Sequence, residues 1–177
     1  MIDSLVKVDN TIDGVFINGS WVHTDEYFEV FNPANEEVIA RVSRAKVDNV
    51  YEAISASKLA LGFWKKLKPF ERNKYILGII DTLEVNKKSL AEIITLEQGK
   101  PLHEAISEIE KCCDYIKWFT EENLRINDYS LYSTSPNTEI NVKYEPIGVV
   151  AAITPWNLPV GSIIRKIIPA LCVGCTV

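Results

Sequence analysis

The chain has 177 residues, 47% hydrophobic, 24% charged and 10% aromatic, enough apolar material for the core of one domain and room for part of a second. Lys and Arg number 19 against 24 Asp and Glu, a formal net charge of −5, and the densest positive cluster, Lys65, Lys66 and Lys68, reads as a solvated helix end, which argues against nucleic acid as a partner. No apolar run reaches the ~18 residues of a spanning helix, and Met1–Asn10 carries Asp3, Lys7 and Asp9 instead of a signal-peptide core, so the expectation is a cytoplasmic protein without membrane contact.

The pair Asn18-Gly19 lies between two short apolar stretches, a strong hairpin signal because both turn positions need positive φ. Tyr27–Phe31 alternates as a strand, Asn32-Pro33-Ala34-Asn35 turns, and Glu37–Val42 returns, so two small β-ribbons open the chain. From Val47 the apolar period becomes 3.6, with Asp48 placed to cap a helix whose stripe is Val50, Ile54 and Leu61. A second helix is predicted from Phe70 to about Asn86, with Ile76, Leu77, Ile80 and Leu83 inward. A third covers Ser89 to Gln98 and stops at Gly99, while Pro101 suits the first turn of the next. That fourth helix, to about Arg125, sets Leu102, Ala105, Ile106, Ile109, Cys113 and Ile116 on one side and Glu104, Glu108, Lys111 and Asp114 opposite.

Residues 127–141 are rich in Ser, Thr, Asn and Tyr and lead into a polar strand pair finishing at Ile140–Tyr144. A ribbon polar on both faces has no core to cover; it is either an arm that adds to another subunit's sheet or an exposed flexible loop. The apolar run Ile147–Ile153 then reads as a buried strand, which ends in Thr154-Pro155-Trp156-Asn157 before a helical pattern resumes around Pro159. A strand that stops at a polar tip and feeds a helix is where open α/β sheets place ligands.

Few residues carry recognisable chemistry. Cys172 and Cys175 have C-x-x-C spacing, but Cys112 and Cys113 are adjacent, not spaced as a second zinc-ligand pair, and the motif falls at the end of a helix instead of its start. Buried structural thiols in a reducing compartment, with no metal, are therefore expected. His23 and His103 have no Cys or Ser at a telling spacing, and Glu97, at a helix C-terminus where a carboxylate is disfavoured, points to a specific anchoring partner. Neither G-x-G-x-x-G nor G-x-x-x-x-G-K-[ST] is present, so any nucleotide must be held by other means. Asn157 has two readings of equal weight: a turn or N-cap residue, or an amide donor to developing negative charge.

The segments Tyr144-Glu145-Pro146-Ile147-Gly148-Val149-Val150, Thr154-Pro155-Trp156-Asn157-Leu158-Pro159 and Arg165-Lys166-Ile167-Ile168-Pro169-Ala170-Leu171 resemble the NAD(P)-dependent aldehyde dehydrogenase superfamily. Ile17-Asn18-Gly19-Ser20-Trp21-Val22, Phe31-Asn32-Pro33-Ala34 and Glu97-Gln98-Gly99-Lys100-Pro101 agree with it in the same order. The resemblance covers nearly all of the chain from Gly14 onward. It implies an α/β fold: the amino-terminal part of an aldehyde-dehydrogenase-like architecture, with small β-ribbons, then helices, then the first strand–helix unit of a Rossmann-like doubly wound sheet. Residues 1–126 and 145–177 would form a partial dinucleotide-binding domain, and 127–144 a β-arm for homo-oligomerisation.

Family members oxidise aldehydes to carboxylates: a Cys thiolate attacks the carbonyl, hydride passes to the nicotinamide of NAD or NADP, and a Glu-activated water releases the acyl group. By the same resemblance Asn157 matches the side-chain donor of the oxyanion hole, Ile153, Thr154, Pro155 and Trp156 line the cofactor cleft, and Lys166 supports it from beneath. The ribose-binding lysine, the Gly-rich pyrophosphate segment, the nucleophilic Cys and the general-base Glu have no counterpart here, and Cys175 stands where the family usually has Asn. The chain is thus expected to lack the catalytic domain, to be inactive alone, and to leave Ile163, Ile164, Ile167 and Ile168 bare. The alternative is a non-catalytic remnant of a truncated or split gene, acting if at all through subunit pairing.

Overall fold

The computed structural model describes residues 11–12 and 14–177. The reading of Met1–Asn10 as an amino end without an apolar core lies outside the described residues. Strand β1 (Thr11–Ile12) pairs in parallel with β5 (Val38–Ser43), which pairs antiparallel with β4 (Tyr27–Phe31), giving a three-stranded sheet in the order β1-β5-β4. A separate hairpin joins β2 (Val15–Ile17) to β3 (Ser20–Val22). Its turn residues Asn18 and Gly19 have φ of 51° and 78°, the mirror-image turn whose twist suits a two-residue connection.

Five helices follow: α1 (Val47–Trp64), α2 (Pro69–Val85), α3 (Lys87–Gln98), α4 (Leu102–Asn123) and α5 (Gly161–Cys172). Helix α3 stops where expected, because Gly99 takes φ 69° and donates its N–H to the Thr95 carbonyl at 2.8 Å. The cap of α1 is Lys46, not Asp48. Lys46 is extended (φ −96°, ψ 169°), and the Asn49 side chain reaches back to accept its N–H at 2.9 Å, which leaves Asp48 already inside the first turn. Pro101 likewise sits one position before α4, as its N-cap.

The core lies among α2, α3, α4 and α5, built on Ile76, Leu83, Ala91, Ile94, Ala105, Ile109, Ile116, Ile164 and Ile168. Three expectations are corrected here. Leu77 and Leu102, predicted inward, are exposed, since each lies at the margin of its helix's apolar stripe, whose centre the core already fills. Glu108, assigned to the solvated side of α4, is 6% exposed, because α5 packs over that face. On α5 only half of the expected bare surface is bare: Ile164 and Ile168 are buried against α4, whereas Ile163 is exposed and Ile167 only partly covered. Two buried amides cross-link α2 and α4, Asn73 donating to the Thr120 carbonyl (2.7 Å) and Asn123 donating to the Asn73 side chain (3.1 Å).

Helix α1 has no buried residue, so its stripe of Val50 and Ile54 faces an open groove. Trp64 at its end packs against the core, and polar contacts add to this: Trp64 Nε1 donates to the Leu171 carbonyl (3.0 Å), Ser57 Oγ to the Val177 carbonyl (3.0 Å), and Thr176 Oγ1 to the Ser57 carbonyl (2.8 Å). The run Ile147–Ile153 is not a buried strand. It makes a single parallel bridge, Val149 to Thr176, and Ile147 and Ile153 are 91% and 86% exposed, because only this one segment pairs with it among the described residues. The polar ribbon is present as β6 (Tyr129–Leu131) paired antiparallel with β7 (Ile140–Val142), and both strands are largely exposed.

Candidate functional site

The segment between the Val149 bridge and α5 carries Thr154, Pro155, Trp156 and Asn157, all exposed, Trp156 at 83%. The Asn157 carboxamide makes no hydrogen bond to any described residue, so it is not an N-cap of α5. The backbone at this tip is fixed nonetheless. The Gln98 amide nitrogen donates to the Trp156 carbonyl, and Lys100 Nζ donates to the Asn157 carbonyl at 3.1 Å.

The cap of α5 comes from a distant residue. Glu108 Oε1 accepts the N–H groups of Val160 (3.1 Å) and Gly161 (2.9 Å), while its Oε2 meets Lys100 Nζ at 2.5 Å. The two side chains are 5% and 15% exposed. At the other end of α5 the buried Arg72 donates Nε to the Cys172 carbonyl at 2.7 Å and Nη1 to the Leu67 carbonyl, and burial lowers its guanidinium from the ordinary value. An anion at the N-terminus and a cation at the C-terminus both complement the helix dipole. Sequence reasoning missed Glu108 and Arg72, since their partners lie 52 to 53 and 100 residues away. The only available signal was a carboxylate one turn from the apolar face of α4.

Two hollows flank this tip. A cavity of about 330 Å³ between α4 and α5 is lined by Lys100, Glu104, Glu108, Leu158, Gly161 and Arg165, and the Arg165 guanidinium lies 4.6 Å above the Tyr115 ring. On the opposite side, an open groove of about 800 Å³ is lined by Val50, Ile54, Val150, Thr154, Ile163 and Ile167 among others. Of the predicted cleft residues, Thr154 lines this groove, whereas Ile153, Pro155 and Trp156 stand out towards solvent. A dinucleotide would find one apolar wall here. Lys58 is the one cation lining the groove, so the described residues fit the flat rings of such a ligand but provide no cradle for its phosphates. Lys166 is exposed on α5, and Glu97 meets no cation among the described residues; partial burial raises its carboxyl above the usual range. His23 and His103 are exposed.

All four cysteines are free and buried. Loss of solvent pushes the Cys112 and Cys172 thiols up to about 11, and Cys113 is raised for the same reason. A thiol with a raised value keeps its proton in the folded state. Its stabilising contribution is therefore complete below the ordinary 9.0 and fades as pH climbs towards about 11. At pH 7.5 a thiol-reactive disulfide reagent is expected to label none of the four until the chain unfolds, and the urea midpoint should fall between pH 9 and 11. Rapid labelling of the native chain would contradict this burial.

A profile of the aldehyde dehydrogenase family matches residues 21–177. Aspartate-semialdehyde dehydrogenase (non-phosphorylating) from Halomonas elongata is 38% identical over 164 residues, 92% of this chain and 33% of that protein. Succinate-semialdehyde dehydrogenase [NADP(+)] from Saccharomyces cerevisiae is 40% identical over 163 residues, again 92% of this chain and 33% of the relative. Among solved structures, betaine aldehyde dehydrogenase from Staphylococcus aureus in complex with NAD+ superposes with a TM-score of 0.84 at 33% identity, covering 90% of this chain and 33% of that one. The chain belongs to the aldehyde dehydrogenase family, and it spans about a third of the length of the curated relatives it matches. Among the described residues its fold is α/β, with small sheets and five helices, none of them long and apolar enough to cross a membrane.

Proposed function

We propose that this chain supplies the oxyanion-stabilising amide and one wall of the cofactor site of an NAD(P)-dependent aldehyde dehydrogenase. The observation that carries this is the free, exposed carboxamide of Asn157 on a tip whose backbone is tied down at two successive carbonyls. An amide N–H carried on a tethered backbone stabilises negative charge as it develops on an aldehyde oxygen, because the tip itself need not reorganise during the reaction. The nicotinamide, when bound, accepts the hydride; this chain's part is to hold the donor and present the apolar face on which Val150 and Thr154 lie.

The covalent step needs a thiolate, and within these 177 residues every thiol is buried and three are raised. On this reading the nucleophile belongs to residues outside these 177, which alone turn over no aldehyde. The relatives' semialdehydes pair an aldehyde with a carboxylate. The cavity beside α5 sets Lys100, Lys111 and Arg165 against Glu104 and Glu108, so acidic aldehydes as the substrate class rest on these relatives and not on the charge of that cavity.

On this reading residues 1–126 and 145–177 are part of a Rossmann-like dinucleotide-binding domain, and 127–144 is an arm that pairs with a second subunit. The exposed β6–β7 ribbon also suits the second reading, a non-catalytic chain that acts only by pairing with a full-length relative. A chimera separates the two: residues 21–177 in place of the matching third of the yeast enzyme should give NAD(P)-linked oxidation that depends on Asn157.

A further inference from the structure

We infer that Gln98, Lys100 and Glu108 form a clamp whose task is to position the Trp156–Asn157 tip, and that Lys100 is its central member. This rests on the oxyanion reading of Asn157 and adds the residues that hold the backbone carrying that amide. The tip is exposed and belongs to no helix or strand, so its own side chains contribute little to its order. Its rigidity must come from donors to its carbonyls, and two of them converge there, Gln98 from the last position of α3 to Trp156 and Lys100 from the loop that follows to Asn157.

A lysine that only satisfied a carbonyl would not need to be 15% exposed beside a carboxylate that is 5% exposed. Lys100 Nζ spans the two, 2.5 Å from Glu108 and 3.1 Å from the Asn157 carbonyl, so one ammonium links the tip to the cap of α5. The arrangement also settles the charge. Glu108 occupies the N-terminal amides of α5, and the ammonium that binds the Asn157 carbonyl offsets the charge of that carboxylate. Lys100 and Glu108 are thus positioning residues that act through Asn157.

The test is nitrogen-15 relaxation on the labelled 177-residue chain carrying Ile163→Ala throughout, which lessens self-association through the open groove. In this parent the Trp156 and Asn157 amides should show the order of the α4 backbone, about 0.85, despite their exposure. The double variant Lys100→Met/Glu108→Gln removes both charges but leaves an oxygen to accept from Val160 and Gly161. It should keep α5 intact and drop the tip below about 0.6. Asn73→Ala, which breaks a buried amide link elsewhere, should lower the melting temperature without moving the tip.

Unchanged tip order in the folded double variant overturns the clamp. So does a tip already mobile in this parent, a result that needs no clamp variant to fold. The measurement involves no turnover. A failed clamp therefore leaves the oxyanion role of Asn157 standing, and an Asn157 variant with full activity would leave the clamp standing.

Discussion

Glu108→Ala is expected to destabilise the chain by about 3–5 kcal/mol, the usual loss when one member of a buried ion pair is removed. Three groups lose their partner at once: the Lys100 ammonium and the N–H groups of Val160 and Gly161. A backbone N–H left dry costs about 1–3 kcal/mol, so these losses alone reach that range even if Lys100 turns to water. Glu108→Gln should lose clearly less, because its carbonyl oxygen still accepts from the start of α5. Urea unfolding measures both variants, and a loss under about 1 kcal/mol for the alanine variant would show that α5 does not depend on this cap.

Ile168→Ala should cost about 2–5 kcal/mol, while Ile163→Ala five residues earlier should cost little. Both lie on α5, but Ile168 is 0% exposed within the core and Ile163 is 43% exposed along the groove. Truncating the first removes buried contacts and leaves a cavity in a close-packed interior; truncating the second removes a group that water already reaches. The same groove, continued by Val50, Ile54 and Val150, is an apolar patch of the kind that binds hydrophobic dyes and drives self-association. Ile163→Ala should therefore reduce dye binding and aggregation. A sharp monomeric elution profile for the parent chain, with no dye uptake, would contradict the exposed groove.

Most local signals in the sequence held where the determinant was local, although Lys46 and not Asp48 caps α1, and Leu77 and Leu102 lie at the edges of their stripes. The Asn18-Gly19 hairpin, the stop at Gly99, the α2–α4 periodicity and the polar β6–β7 ribbon follow from residues within a few positions of one another. The larger misreadings share a different cause. An apolar stripe predicts burial only if something covers it, and Val50, Ile54, Ile147 and Ile153 have no covering element among the described residues. Glu108 and Arg72 look like surface charges on their own helices, and only the docking of α5 over 50 to 100 residues of chain makes them buried caps. At the tip, the Pro-Trp-Asn motif pointed to Asn157. The residues that hold its backbone, Gln98 and Lys100, belong to a segment legible in the sequence as a helix end, with nothing local to show that it reaches the tip.

The most direct test of the oxyanion assignment is kcat for acidic-aldehyde oxidation by the chimera of residues 21–177 with the rest of the yeast relative, compared with its Asn157→Ala form. Loss of one such donor is expected to lower kcat about 10²–10³-fold with the thiol content and fold unchanged. Turnover by Asn157→Ala within a few-fold of the parent chimera, or NAD(P)-linked oxidation by the 177 residues alone, would contradict it.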